Sequence, residues 1–432
     1  MFDLKLTNAR LTSHLIDTPL VTIAIKDGHF VAIDSSEELT HAPAHVTINA
    51  LGNLVSPPFV DSHFHMDSTL SYGLPRVNQS GTLLEGIAIW GELKPTLTQD
   101  AIIERAMTYC DWAVAKGLLA IRSHVDICDD SLLATEALIS VREKVKPYID
   151  LQLVAFPQDG LLRSPNAKTN LIRALSMGVD VIGGIPHFER TMDEGSQSVQ
   201  WLCELAAQQG KLVDMHCDET DDPLSRHIET LTFHTQRLGL QGRVTGSHLT
   251  SMHSMDNYYV SKLIPLMAQA QIQVIANPLI NITLQGRHDT YPKRRGMTRV
   301  AELMQAGVNV AFGHDCVMDP WYAFGSGDML EVAQMGIHVG QLTSQAQVKA
   351  AFDAVTVNAA KVMQLEGYGV AVGCKADCIV LDARSALDAI RLRANRLQVI
   401  KAGVVIASAA AHQPLLTIAN RPKQTNFSLT FI

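Results

Sequence analysis

Short apolar runs that end in polar residues recur along the middle of this chain. They are LVSPPFVDSHFH, LLAIRSHVD, LQLVAFPQD, VDVIGGIPHFE, KLVDMHCDE, RVTGSHLT, IQVIANP and VNVAFGHD. Each reads as a strand. Amphipathic segments such as AIIERAMTYCDWAVAKG and SVQWLCELAAQQG separate them and read as helices. Eight strands alternating with helices predict an α/β fold, a (β/α)8 barrel over 56–370. Its active site is then expected at the C-terminal ends of the strands. A doubly wound open sheet would need a glycine-rich phosphate loop after the first strand. SPPFVDSHFH has none, and no GxxxxGK[ST] occurs anywhere.

The chain ends carry a different pattern. LKLTNARL and VTIAIKDGHFVAID alternate with period two and break at Lys26-Asp27-Gly28, a hairpin signal. Near the other end, ADCIVLDA precedes LQVIKAGVVIAS, with a turn at Gly403. The two ends are expected to pair into a small β-sandwich, residues 1–55 plus 371–432.

Composition narrows the class. The chain has 432 residues, of which 47% are hydrophobic and 18% charged, enough for a sizeable core and unlike a disordered protein. A net charge of -8 gives no basic footprint for nucleic acid. The seven cysteines are scattered, and no CxxC pair occurs. A zinc ribbon or disulfide framework is therefore not expected. The N-terminal stretch lacks an apolar signal core, and no apolar run reaches the length of a membrane span. A cytoplasmic protein acting on small molecules is expected.

The candidate chemistry starts from His63 and His65. Side chains on a strand alternate, so two histidines one residue apart point the same way and can grip one metal ion. In the barrel reading, further polar residues fall at strand ends: His216 on the fifth, His248 on the sixth and Asp315 on the eighth. Nitrogen and oxygen ligands of this kind suit zinc or ferrous iron. Three histidines with Asp315 leave an open position for water, whose pKa the ion lowers toward neutrality. His248 is then better placed as a base or supporting group than as a fifth ligand. Glu219 follows His216 by three residues and is positioned to shuttle protons. His124, in RSHVD, reads as a structural histidine.

With these residues in place the chain resembles the amidohydrolase superfamily and, within it, the cytosine deaminases of bacteria. The resemblance rests on PPFVDSHFHMD, NQSGTLLEGI, DLQLVAFPQDG, IPHFE, DMHCDETDD, GSHLTSMHS, ANPLINITLQGRHDTYPKRRGMTRV and FGHDCVMDPWY, which span nearly the whole barrel. It implies His63, His65, His216 and Asp315 as metal ligands, Glu219 as proton shuttle and His248 as the residue that activates water. It implies Gln158 as the partner of the substrate amide, and Phe156, Leu83 and Trp321 as pocket walls. It also implies one Fe2+, replaceable by Zn2+, and a homo-oligomer, a hexamer. Binuclear relatives need a bridging Lys or Glu near the third or fourth strand. LQLVAFPQDG and the apolar core of VDVIGGIP offer none, and Glu189 lies beyond it, so a mononuclear site is expected. The other deaminase class carries PCxxC, which is absent.

One residue departs from the pattern. Similar cytosine deaminases carry Asp directly after the metal-binding Asp, facing C5 of the pyrimidine; here the residue is Cys316. A thiol is neutral and packs against a methyl group, whereas a carboxylate would have to be desolvated there. The expected reaction is hydrolytic deamination of a free base by metal-activated hydroxide, 5-methylcytosine to thymine and cytosine to uracil. The alternatives are a cytosine deaminase indifferent to the methyl group, an isoguanine or creatinine deaminase, a binuclear cyclic-amide hydrolase, and a non-catalytic scaffold.

Overall fold

The computed structural model describes residues 1–11, 18–425 and 427. The chain opens with five strands: β1 (Phe2–Leu11), β2 (Val21–Lys26), β3 (His29–Asp34), β4 (Ala44–Asn49) and β5 (Leu54–Ser56). Eight strands follow: β6 (Phe59–Phe64), β7 (Leu118–Asp126), β8 (Asp150–Phe156), β9 (Val181–Gly184), β10 (Leu212–Cys217), β11 (Val244–His248), β12 (Gln273–Ala276) and β13 (Asn309–Phe312). The last three are β14 (Cys378–Leu381), β15 (Arg396–Lys401) and β16 (Val404–Ser408).

Strands β6 to β13 are the eight apolar runs of the sequence. They pair in chain order, all parallel, and at least one helix follows each. Several helices start where a hydroxyl accepts a backbone N–H of the first turn, as at Thr82, Thr191 and Ser344. The first and last barrel strands meet at their C-terminal ends. There His65 N–H donates to the Asp315 carbonyl at 3.0 Å, and Asp315 N–H to the His63 carbonyl at 2.9 Å. The barrel thus closes through the residues singled out as metal ligands.

The barrel interior is not wholly apolar. Arg122 on β7 and Asp214 on β10 are fully buried. Arg122 Nη1 donates to Asp214 Oδ2 at 2.9 Å, and its other nitrogens donate to Gln152 Oε1 and the Val362 carbonyl. Ser247 Oγ donates to the second Asp214 oxygen at 2.6 Å. Every charge is paired and hydrogen-bonded, the condition under which a buried ion pair persists.

The chain ends build the second sheet, in the order β16-β15-β14-β5-β1-β2-β3, with β4 also beside β1. The ends join where β5 and β14 run antiparallel, with Val55 opposite Val380. Both expected hairpins are present. Each turns on two residues with positive φ, Asp27-Gly28 (52° and 71°) and Ala402-Gly403 (49° and 78°). That is the turn whose twist matches the flanking strands. Leu6, Ile23, Ile25, Phe30, Val55, Val380 and Ile400 form the core of this unit. Residues 12–17, 426 and 428–432 of the expected terminal unit lie outside the described residues. Arg396 ties the sheet to the barrel. Its guanidinium meets the buried Asp328 carboxylate, donates to the Lys116 carbonyl at 2.8 Å and lies over the Phe59 ring.

Candidate active site

Four side chains converge where the barrel closes. His63 ends β6 with Phe64, His65 follows directly, His216 comes from β10, and Asp315 lies just past β13. All four are buried, and one ligand atom from each lies within 4.8 Å of the others. The Nε2 atoms of His65 and His216 are 3.0 Å apart. Asp315 Oδ1 lies 3.5 Å from His63 Nε2 and 3.3 Å from His65 Nε2. His63 Nε2 is buried with no hydrogen-bond partner. Such an unmatched nitrogen is costly, and a cation among the four groups removes the cost. The donor set is that of a divalent-metal site.

The other nitrogen of His63 is also held. Its Nδ1 lies 3.1 Å from Nε2 of His124. A ring nitrogen held in this way fixes the orientation of the imidazole. The residue read as structural therefore packs directly against the cluster. His63, His124 and Asp214 also approach one another closely, but Arg122 occupies the Asp214 carboxylate.

His248 and Glu219 stand beside the cluster. Glu219 Oε1 is 3.4 Å from His248 Nδ1, and His248 Nε2 is 3.7 Å from Asp315 Oδ2. The Asn281 amide nitrogen lies 3.0 Å from His248 Nδ1, and that of Asn277 lies 3.3 Å from both ring nitrogens. His248 and Asp315 adopt positive φ, 69° and 71°. Non-glycine residues rarely do so, and such strain gathers at functional sites.

The two carboxyl groups are driven apart in acidity. Burial and the nearby Asp315 charge push Glu219 well above the usual carboxylate range. Burial acts on Asp315 in the same direction, but His63 and His248 outweigh it and hold the group well below its ordinary value. Two acids set apart in this way are what acid–base chemistry requires. Burial lowers the pKa of His248 and His216.

A cavity opens onto these groups. His65, His216, Glu219, His248 and Asp315 line it together with Leu83, Gln158, Cys316 and Trp321, and with Ile185, Ile280 and Leu284. Phe156 ends β8, and its ring stacks on His216, with centroids 4.1 Å apart and planes at 18°, and meets His65 edge-on at 5.6 Å. The three aliphatic linings carried no chemical signal in the sequence. Ile280 and Leu284, like Asn277 and Asn281, are spaced four apart around the helix Pro278–Leu284, and that spacing is the one trace they left.

Two further contacts shape the cavity. Gly86 lies inside the helix Leu83–Leu93, where a Cβ would fall 2.2 Å from Cδ1 of Trp321. The indole thus rests directly on helix backbone. The Cys316 sulfur lies 3.7 Å from Asp315 Oδ1. Burial, then Asp319 and Asp315, push its thiol pKa far up, so it stays a neutral S–H.

A buried cluster of three histidines and one aspartate at the mouth of a (β/α)8 barrel, beside an acid–base pair, defines a metal-dependent hydrolase. A model of the amidohydrolase family matches residues 46–407, and the chain belongs to that family. N-isopropylammelide isopropyl amidohydrolase of Pseudomonas sp. (strain ADP) is 30% identical over 415 residues, 94% of this chain and 97% of that protein. Pterin deaminase of Rhizobium rhizogenes is 28% identical over 84% of this chain and 83% of that one. Among solved structures, 5-methylcytosine deaminase from Klebsiella pneumoniae, liganded with 5-fluorocytosine, is 42% identical. It covers 94% of this chain and 98% of that one, with a TM-score of 0.91.

Proposed function

We propose that this chain deaminates a free cytosine-type base, with 5-methylcytosine preferred and cytosine also accepted. Water replaces the exocyclic amine, giving thymine or uracil and ammonia. The observation that carries the reading is the neutral Cys316 thiol on the cavity wall, next in the chain to Asp315. The likeness to a 5-methylcytosine deaminase over nearly the whole chain supports it.

His63, His65, His216 and Asp315 would hold one Fe2+ or Zn2+. When bound, such an ion lowers the pKa of water and polarises the reacting centre. Protonated Glu219 gives its proton to the ring nitrogen N3, takes up the proton of the hydroxyl now on C4 as the carbonyl forms, and delivers that proton to the departing amine. Asp315 and His248 help take the proton of the attacking water, which then returns to Glu219 and restores the pair. Gln158 faces the O2 and N1 edge from across the cavity, and Leu83 and Trp321 pack on the ring faces. Phe156 completes the wall, with its ring stacked on His216. We further read the chain as a cytoplasmic homo-oligomer divided at 55/56 and 370/371.

The test is ammonia release from cytosine, 5-methylcytosine, isoguanine, creatinine and N-isopropylammelide by iron- or zinc-loaded protein. Highest kcat/KM with 5-methylcytosine is expected. Turnover confined to a base without the cytosine amidine would overturn the reading.

A further inference from the structure

Glu189 lies beyond β9, after the short turn Pro186–Phe188, and is given no part in metal binding above. Its carboxylate is nevertheless buried and fully engaged. Three consecutive backbone N–H groups of the loop after β8 donate to it. Leu161 donates to Oε1 at 2.7 Å, Leu162 to Oε1 and Oε2 at 3.1 and 3.2 Å, and Arg163 to Oε2 at 3.2 Å. Arg163 reaches back, donating from Nη1 to the Phe188 carbonyl at 2.7 Å and lying over the Phe188 ring at 4.1 Å. Gly160 fits closely too; a Cβ there would be 3.1 Å from Glu189 Oε2.

The clamp joins two loops that both reach the cavity. Gln158 lies three residues before Leu161, and Ile185 lies four before Glu189; both line the cavity. The loop between β8 and its helix has few other anchors near Gln158. Gln158 N–H donates to the Phe156 carbonyl at 3.0 Å, Gly160 N–H to Pro157 at 2.9 Å, and Asp159 N–H to the Cys128 sulfur at 3.4 Å. Those bonds are local or weak, whereas the Asp159 side chain accepts from Lys94 Nζ at 2.7 Å. The Glu189 carboxylate, accepting several N–H groups, is the second charge-assisted anchor and holds the far side of the loop.

We propose that Glu189 is a positioning residue: by gathering the N–H groups of Leu161, Leu162 and Arg163, it sets where Gln158 meets the substrate. This rests on the reading of Gln158 as the partner of the substrate amide. A displacement of about 1 Å in such a group is enough to be felt in turnover.

The test uses Glu189→Gln, Gln158→Ala and the double variant in the metal-loaded protein. Glu189→Gln keeps the volume but turns an amide donor toward N–H donors. It is expected to raise KM about 10- to 100-fold with little change in kcat, and to leave metal content unchanged. Added to Gln158→Ala, it should cost nothing further in kcat/KM, because both act through one contact. Amide exchange at Leu161–Arg163 should quicken in Glu189→Gln. Wild-type KM in that variant, or a full additional loss on top of Gln158→Ala, overturns the proposal. If Gln158→Ala is silent while exchange quickens, the fault lies in the reading of Gln158, and the positioning role falls with it. Unchanged exchange places the fault in the clamp itself.

Discussion

Glu219 Oε1 lies 3.4 Å from Nδ1 of His248, and the opposite nitrogen of that ring faces Asp315. One imidazole therefore stands between a carboxyl group whose pKa is raised and one whose pKa is lowered. The three groups act as a unit, so their individual removal should not give additive losses.

Glu219→Gln is expected to lower kcat by about 10²- to 10⁴-fold while the metal stays bound. The amide keeps the volume but cannot carry a proton from water to N3 and the amine. Steady-state kinetics with metal analysis checks this; near-normal kcat would remove Glu219 from the chemistry.

Asp315→Ala should cost both metal and activity. Three imidazoles remain, a poorer site for a divalent ion. Metal per chain after dialysis against a weak chelator is the measurement. One tightly retained ion with full activity would show that Asp315 is no ligand.

Cys316→Asp should shift the preference toward cytosine. The new carboxylate would shed water against the 5-methyl group, whereas C5–H leaves room for it. The ratio of kcat/KM for 5-methylcytosine over cytosine should fall about 10- to 100-fold. An unchanged ratio would mean that position 316 does not face C5.

Gly86→Ala separates helix propensity from pocket shape. Alanine favours a helix interior by about 1 kcal/mol over glycine, so propensity alone predicts a more stable protein. The added Cβ would meet the Trp321 ring at 2.2 Å. A raised KM, about 10-fold or more by analogy with a 1–3 kcal/mol overpacking cost, and an altered tryptophan emission are expected. An unaffected KM would show that the indole yields without cost to binding.

Arg396→Ala should weaken the seam between sheet and barrel by about 3 kcal/mol, because it strands a buried carboxylate. Burial alone would raise the pKa of Asp328, but Arg396 outweighs it and holds the group below 3.8. With the folded pKa depressed, the stabilisation is fully present above the ordinary value and is lost as pH falls through the folded one. Thermal melts from neutral pH down to about pH 3 should show this acid-side loss in the wild type. It should be reduced in the variant; identical slopes would remove Asp328 from the linkage.

The strands were legible because a barrel strand covered by helices leaves a plain apolar run with a polar end. The metal-ligand candidates were legible for the same reason: His63, His65, His216 and Asp315 are those polar ends. Other features left no local trace. Arg122 and Asp214 are partners from two strands, and nothing near either names the other. Glu189 looked idle because its partners are backbone groups, which every residue carries. That the Phe156 ring stacks on His216 was not legible, since order along a strand end does not show which way a ring packs. Gly86 reads as a helix weakness until the indole that rests on it is seen.

The seam at His63, His65 and Asp315 joins the earliest barrel strand to the latest. During synthesis, two of the four clustered groups emerge with the first strand and wait for the last. A chain cut short before Asp315 can fold many of its helices yet never present the full set. An ion held by all four groups thus requires a chain made through the last barrel strand.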